Sequence, residues 1–183
     1  MAFEISEAMY AGLSKLDSGT LTQAAKDAQS FNDLLPTAID SFKKNATDAG
    51  GLINDMVAEI NDLMSERSEQ KLTEKNRGAV FADLAVGISA VLQTRKDLGV
   101  GVPDEIFMTG NSWPQEVAPF RISAFGMDDY NSSDVILKYG KVYYGISLKK
   151  KAYQSAPPPT LINNAFSSSK FIDFKISSIA SAP

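Results

Sequence analysis

The chain has 183 residues, carries a net charge of −4 and contains neither cysteine nor histidine. These absences exclude disulfides, Cys or His zinc sites and mechanisms that need a histidine base or a cysteine nucleophile, and leave carboxylates, lysine, hydroxyls or a hard metal ion for any hydrolytic chemistry. Because no apolar run reaches the roughly 18 residues of a membrane span and the start lacks a signal peptide, we expect a soluble, cytoplasmically made protein without a membrane partner.

Charge is distributed unevenly along the chain. Residues 1–70 carry 12 acids and 5 bases, whereas residues 134–183 carry 2 acids and 7 lysines. A basic segment can contact a polyanion such as DNA, or it can pair with the chain's own acidic helices. Both interpretations stay open at this point.

Residues 1–66 are predicted to be helical, with three interruptions. The stretch Asp17-Ser18-Gly19-Thr20 is typical of a helix break followed by a new N-cap, and Gly50-Gly51 indicates another break. Pro36 is expected to end or kink the helix between them, because proline lacks the backbone N–H that a helix interior uses.

Residues 52–64 have the strongest amphipathic pattern in the chain. Their apolar side chains recur at helical three-four spacing: Leu52, Ile53, Met56, Val57, Ile60, Leu63 and Met64. Such a stripe needs a covering surface. It is covered either by the rest of the chain or by other protein subunits, in which case this helix is an assembly interface.

A longer helix is predicted from about Ser68 to Lys96, closed by the glycines and proline of residues 99–103. Asp83 lies on the flank of its apolar stripe. Residues 103–133 are rich in turn formers, and we expect loops there with one short strand near residues 120–125. We therefore divide the chain into a helical region, 1–67, and an α+β domain, 68–183.

Residues 134–149 give the clearest β signal. Two alternating segments flank Gly140-Lys141, and a two-residue loop that begins with glycine is typical of a β-hairpin. Tyr139 should then pair with Val142, and Asp134 should lie opposite Ser147. The side chains predicted to be buried are Val135, Leu137, Tyr144, Ile146 and Leu148.

The same register puts chemically useful side chains on one face. Asp134, Ser147 and Lys149 are predicted to lie together there. The carboxylate is suited to hold Mg²⁺ or Mn²⁺, and the lysine is suited to neutralise charge on a phosphate. The alternative is an ordinary solvated sheet face with a surface salt bridge.

The residues around the hairpin add candidate nucleic-acid contacts. Lys150 and Lys151 can meet phosphates, and Tyr143 can stack on a base. After a proline-rich loop, a helix is predicted over 160–166 and a last strand over 171–179.

The order helix, Asp134, tight turn and Ser147-Leu148-Lys149 resembles the PD-(D/E)xK nuclease superfamily. The resemblance implies a restriction-endonuclease-like fold, in which a small mixed sheet is flanked by helices. It also implies Mg- or Mn-dependent DNA cleavage. Asp134 would hold the metal, Lys149 would position the attacking water, and Asp83 would be the supporting acid of the preceding helix. Ser147 stands where that family has an acid.

A second similarity concerns the biological setting. Residues 144–151 and 159–164 are similar to segments in proteins of tailed bacteriophages. This implies a phage-encoded protein that acts in the host cytoplasm or is incorporated in the virion. Three functions remain open: a metal-dependent deoxyribonuclease, a degenerate DNA-binding derivative of one, and a non-catalytic head, neck or tail protein.

Overall fold

The computed structural model describes residues 2–65, 72–110, 112–122 and 133–148. These residues belong to one compact unit that ends at Leu148. The expected helix at 160–166 and strand at 171–179 lie outside the described residues. Within the described ranges the fold is α+β, with α-helices and a four-stranded mixed sheet whose first strand lies between two of the helices and whose other three strands follow them.

Five α-helices lie in the part of the chain that the structure describes: α1 (Ala2–Leu13), α2 (Ser18–Ala24), α3 (Ala28–Asn45), α4 (Leu52–Met64) and α5 (Leu72–Leu98). The first break and N-cap are confirmed. Asp17 caps α2 by accepting the Thr20 N–H at 2.9 Å, which satisfies an N–H that has no partner inside the helix. Gly50 and Gly51 have φ angles of +96° and +83°, and they form the break before α4.

Of the two outcomes expected at Pro36, an end of the helix is not observed. The helix continues through Pro36 to Asn45, and the ring lies on the exposed side. Apolar side chains on the opposite side of α3 are buried on both sides of the proline, including Leu34, Ala38 and Phe42. Packing of this face outweighs the one backbone hydrogen bond that proline removes.

The sheet has four strands in the order β1-β2-β3-β4: β1 (Ala46–Thr47), β2 (Glu105–Met108), β3 (Val135–Tyr139) and β4 (Val142–Ile146). β1 is parallel to β2, and the other pairs are antiparallel. Neither β1 nor β2 was predicted from the sequence. β2 gives no alternating signal because Ile106, Phe107 and Met108 are all buried.

The expected strand near residues 120–125 is wrong where the structure describes it. Ala118–Arg121 form a 3₁₀ turn, and residues 123–125 lie outside the described residues. The aromatic and apolar side chains of this segment suggested a strand. The segment forms a turn instead, and Val117 anchors that turn on the sheet. Val117 is fully buried.

One core joins the helices to one face of the sheet. From Ile5 to Leu13 in α1, every residue except Ser6 and Glu7 is buried. Small residues let its neighbours approach closely: a Cβ at Gly12 would lie 2.1 Å from the Ala38 backbone oxygen of α3. Val135 and Leu137 of β3 pack into the same core. The regions that the sequence analysis separates at residue 67 therefore share this core.

A buried arginine ties α5 to the end of α1. The Arg95 guanidinium donates to the backbone oxygens of Ser14, at 2.9 Å, and Leu16, at 2.7 Å, and to the Ser18 hydroxyl, at 2.9 Å. Its burial lowers the pKa of the guanidinium. The positively charged guanidinium donates hydrogen bonds to carbonyl oxygens at the C-terminal end of α1, where a cation is favoured.

None of the described helices is both long and apolar enough to cross a bilayer.

Candidate functional site

The predicted hairpin is confirmed in its register within the two strands, but the predicted pair of Asp134 with Ser147 is not formed, because Asp134 lies before β3, Ser147 lies after β4 and the Asp134 N–H bonds to Ile146. Tyr139 pairs with Val142 and Val135 with Ile146, across a two-residue loop at Gly140-Lys141. Gly140 has a φ of +59°, a conformation that glycine adopts without a Cβ penalty. The turn therefore sets the strand pairing as the sequence predicts.

The expected burial of the hairpin holds for one strand only. Val135 and Leu137 are buried, but Tyr144, Ile146 and Leu148 are half-buried. The difference follows from position: β3 lies between β2 and β4, whereas β4 ends the sheet in the described residues.

Asp134 lies one residue before β3, and hydrogen bonds from its backbone and its side chain hold it. Its N–H donates to the Ile146 oxygen at 2.8 Å, and its carbonyl accepts the Thr109 N–H at 3.2 Å. Its carboxylate oxygen Oδ2 accepts the Leu148 N–H at 2.6 Å. Asp134 therefore closes the end of the hairpin through backbone groups of both neighbouring strands.

Ser147 lies beside this contact. It is exposed and directly follows β4, between Ile146 and Leu148, both of which bond to Asp134. The structure therefore brings Asp134 and the Ser147-Leu148 peptide together at one end of the hairpin. Lys149, Lys150 and Lys151 lie outside the described residues.

Asp83 lies in the helical core. It is 4% exposed and sits one turn before Gly87 on α5. A Cβ at Gly87 would lie 2.8 Å from the Leu13 side chain, so this face of α5 packs against α1. Asp83 is therefore a buried residue in the packing of α5.

The described side chains do not fit a complete metal site. Mg²⁺ and Mn²⁺ prefer several oxygen ligands with carboxylates among them. In the described ranges no group of three His, Cys, Asp or Glu residues is arranged to hold a metal ion. At the hairpin end Asp134 supplies a carboxylate, whereas Ser147 supplies only a hydroxyl, which is the weaker metal ligand.

Tyr143 lies on the second face of the sheet, which a small apolar cluster covers. The cluster contains Phe107, Val117 and Ile136, with Trp113 packed beside them. The Tyr143 ring packs 4.9 Å from the Phe120 ring, and its hydroxyl donates to Glu116 at 2.6 Å. The predicted base-stacking residue thus has substantial contacts within the protein, and this face is not the open one that the hairpin pattern suggests.

On the same face, ion pairs between one lysine and two glutamates hold the 112–122 segment against the sheet. Lys138 Nζ donates to carboxylate oxygens of Glu105 and Glu116, the latter at 2.6 Å. These bonds raise the pKa of Lys138, and the bond from Lys138 lowers the pKa of Glu116. Sequence reasoning missed this group because Glu105 is opposite Lys138 only once β2 is recognised as a strand.

The amphipathic helix α4 is covered by its own chain. Met56, Val57 and Ile60 are buried, and the flanking apolar residues of the stripe pack against the same core. Of the two alternatives for this stripe, packing within the chain is the one observed. The stripe therefore no longer argues for a protein partner.

Comparison with known proteins gave no match: no family model, no curated protein and no solved structure is similar to this chain.

Proposed function

We propose that this chain is a nuclease-like protein of the PD-(D/E)xK type that binds DNA at the Asp134 end of its hairpin. In this proposal the catalytic centre is degenerate, and cutting is slow because Ser147 replaces an acid. The protein is phage-encoded and acts in the host cytoplasm or within the virion.

One observation carries the proposal. The Asp134 carboxylate accepts the Leu148 N–H at 2.6 Å, which puts this acid beside Ser147-Leu148, directly before Lys149 in the chain. An acid, a short turn and a strand that leads into a lysine are the pattern of the PD-(D/E)xK resemblance. The helix α5, which precedes β2, β3 and β4 in the chain, agrees with the order of elements that the resemblance implies.

The DNA contacts come from the lysine run. Lys149, Lys150 and Lys151 follow the Asp134–Leu148 contact directly. Three adjacent cations suit the phosphate backbone, which dominates non-specific affinity for DNA. Asp134 would hold Mg²⁺ or Mn²⁺ if the chain is active. Lys149 would neutralise charge on phosphorus.

Fluorescence anisotropy with labelled duplex DNA tests the binding. Replacing Lys149, Lys150 and Lys151 together with alanine should weaken binding and lower the salt slope by up to about 3, since each lost phosphate contact contributes about 0.9. Lys141→Ala is the matched control, because Lys141 is exposed at the opposite end of the same hairpin. If the triple lysine substitution and Lys141→Ala weaken DNA binding equally, the run of three lysines is not the DNA contact.

A non-catalytic virion structural or assembly protein is the second candidate. The observation that favours it is the Leu148 N–H bond to the Asp134 carboxylate, because it gives that acid a folding role that needs no chemistry. This candidate predicts that neither the wild-type protein nor the triple lysine variant binds DNA above the background of the assay.

A further inference from the structure

Thr109 reaches the backbone on both sides of the Ser133-Asp134 peptide. It follows β2 and is only 3% exposed. Its N–H donates to the Asp134 oxygen at 3.2 Å. Its hydroxyl donates to the Ser133 oxygen. A buried hydroxyl is costly unless it is hydrogen-bonded, and here its donor is satisfied by this single carbonyl.

The backbone at Asp134 departs from regular strand geometry. In an antiparallel ladder, the N–H and C=O of one residue point to the same neighbouring strand. At Asp134 the N–H points to the oxygen of Ile146, the last residue of β4, whereas the C=O points to Thr109, the residue just after β2. The chain is therefore turned at this residue, and Thr109 holds the turned peptides from the β2 side.

This turn sets the direction of the carboxylate. Continued pairing puts Asp134 level with Ser147, yet its N–H bonds one residue earlier, to Ile146, and its Oδ2 bonds one residue later, to the Leu148 N–H. We infer that Thr109 is a positioning residue: its hydroxyl fixes the Ser133-Asp134 peptide so that the Asp134 carboxylate stands beside residues 147 and 148. The consequence for DNA cleavage rests on the proposed function, whereas the positioning itself does not.

Amide hydrogen exchange of the full chain, followed by NMR, tests the positioning. Thr109→Val removes the hydroxyl and keeps the side-chain shape, and Thr109→Ser keeps the hydroxyl as the matched control. In Thr109→Val we expect exchange of the Leu148 amide to speed up by about tenfold or more, because its bond to a charged acceptor is weakened. The Leu148 amide in Thr109→Ser should exchange as in the wild type. Amides in the middle of the hairpin, such as Leu137 and Tyr144, should be unchanged in both variants.

Three results overturn the inference. The first is an unchanged Leu148 amide in Thr109→Val. The second is equal acceleration in Thr109→Val and Thr109→Ser, because the hydroxyl is then not the cause. The third is a joint loss of protection at Leu148, Leu137 and Tyr144, which makes Thr109 a general determinant of folding instead.

The catalytic consequence has a separate readout. In a Ser147→Glu background with Mn²⁺, adding Thr109→Val should lower kcat more than it raises KM, because a displaced carboxylate affects the reacting geometry more than DNA binding. If Ser147→Glu is inert, the proposed function fails while the exchange result on Leu148 still decides the role of Thr109.

Discussion

Replacing Gly12 with alanine should destabilise the protein, although alanine is the better helix former. Gly12 lies in α1 where that helix crosses α3. A Cβ there would lie 2.1 Å from the Ala38 backbone oxygen, 3.0 Å from its carbonyl carbon and 3.2 Å from Phe42 Cβ. Two of these three atoms belong to the backbone of α3, so no side-chain rotation relieves the overlap.

The magnitude follows from two opposing terms. Alanine gains about 1 kcal/mol over glycine inside a helix. Relieving the overlap requires the helices to separate by roughly 1.4 Å, since non-bonded heavy atoms are comfortable at about 3.5 Å. Overpacking of this kind costs about 1–3 kcal/mol, and the separation also strains the 2.8 Å bond from the Ser41 hydroxyl to the Gly12 oxygen. The net loss should be about 2 kcal/mol.

Urea unfolding measures this change, with Gly78→Ala as the matched control. Gly78 is exposed in α5, and a Cβ there meets no atom within 4 Å. The same substitution should therefore raise the free energy of unfolding by up to about 1 kcal/mol at Gly78 and lower it at Gly12. A Gly12→Ala protein as stable as the wild type, with an unchanged m value, refutes the close packing of α1 on α3.

Three further changes test other contacts. Arg95→Met removes three hydrogen bonds from a buried guanidinium and should lower the free energy of unfolding in urea by about 2–4 kcal/mol. The bond from Lys138 lowers the pKa of Glu116. The stability that this bond contributes is therefore present above the carboxyl's ordinary pKa and is lost as pH falls. Glu116→Gln should flatten the resulting decline of Tm with acidification. Burial raises the pKa of Tyr139 to about 12, so stability is lost as pH rises from about 10 to 12, and Tyr139→Phe should flatten that decline. Equal pH profiles for a variant and the wild type contradict the corresponding contact.

Local signals made the hairpin and the amphipathic helix predictable. Gly140-Lys141 sets a two-residue loop, and alternation on both sides then determines each pair from Tyr139–Val142 to Val135–Ile146. The three-four spacing of residues 52–64 likewise predicts α4. These patterns depend on neighbours in sequence, and a single chain records them directly.

Long-range contacts were not predictable in the same way. β2 is buried on both faces and has no alternation, so its pairing with β3 and the Glu105–Lys138 contact were not expected. The apolar cluster around Tyr143 depends on Val117, which comes from a segment that a local pattern assigned to loops. The turned backbone at Asp134 likewise depends on Thr109, which is 25 residues earlier in the chain.

The central claim is that the hairpin end is a nuclease-type site that lacks its second acid. Ser147→Glu restores an acid beside Asp134, and Ser147→Gln is the matched control with the same shape and no charge. Calorimetry with Mn²⁺, together with cleavage of single- and double-stranded DNA, should give metal uptake and cutting by Ser147→Glu. The wild-type protein should cut slowly, and Ser147→Gln should cut no faster. Adding Asp134→Ala or Lys149→Ala to the Ser147→Glu protein should abolish cutting. A folded Ser147→Glu protein that takes up no Mn²⁺ and cuts neither single- nor double-stranded DNA would contradict the claim.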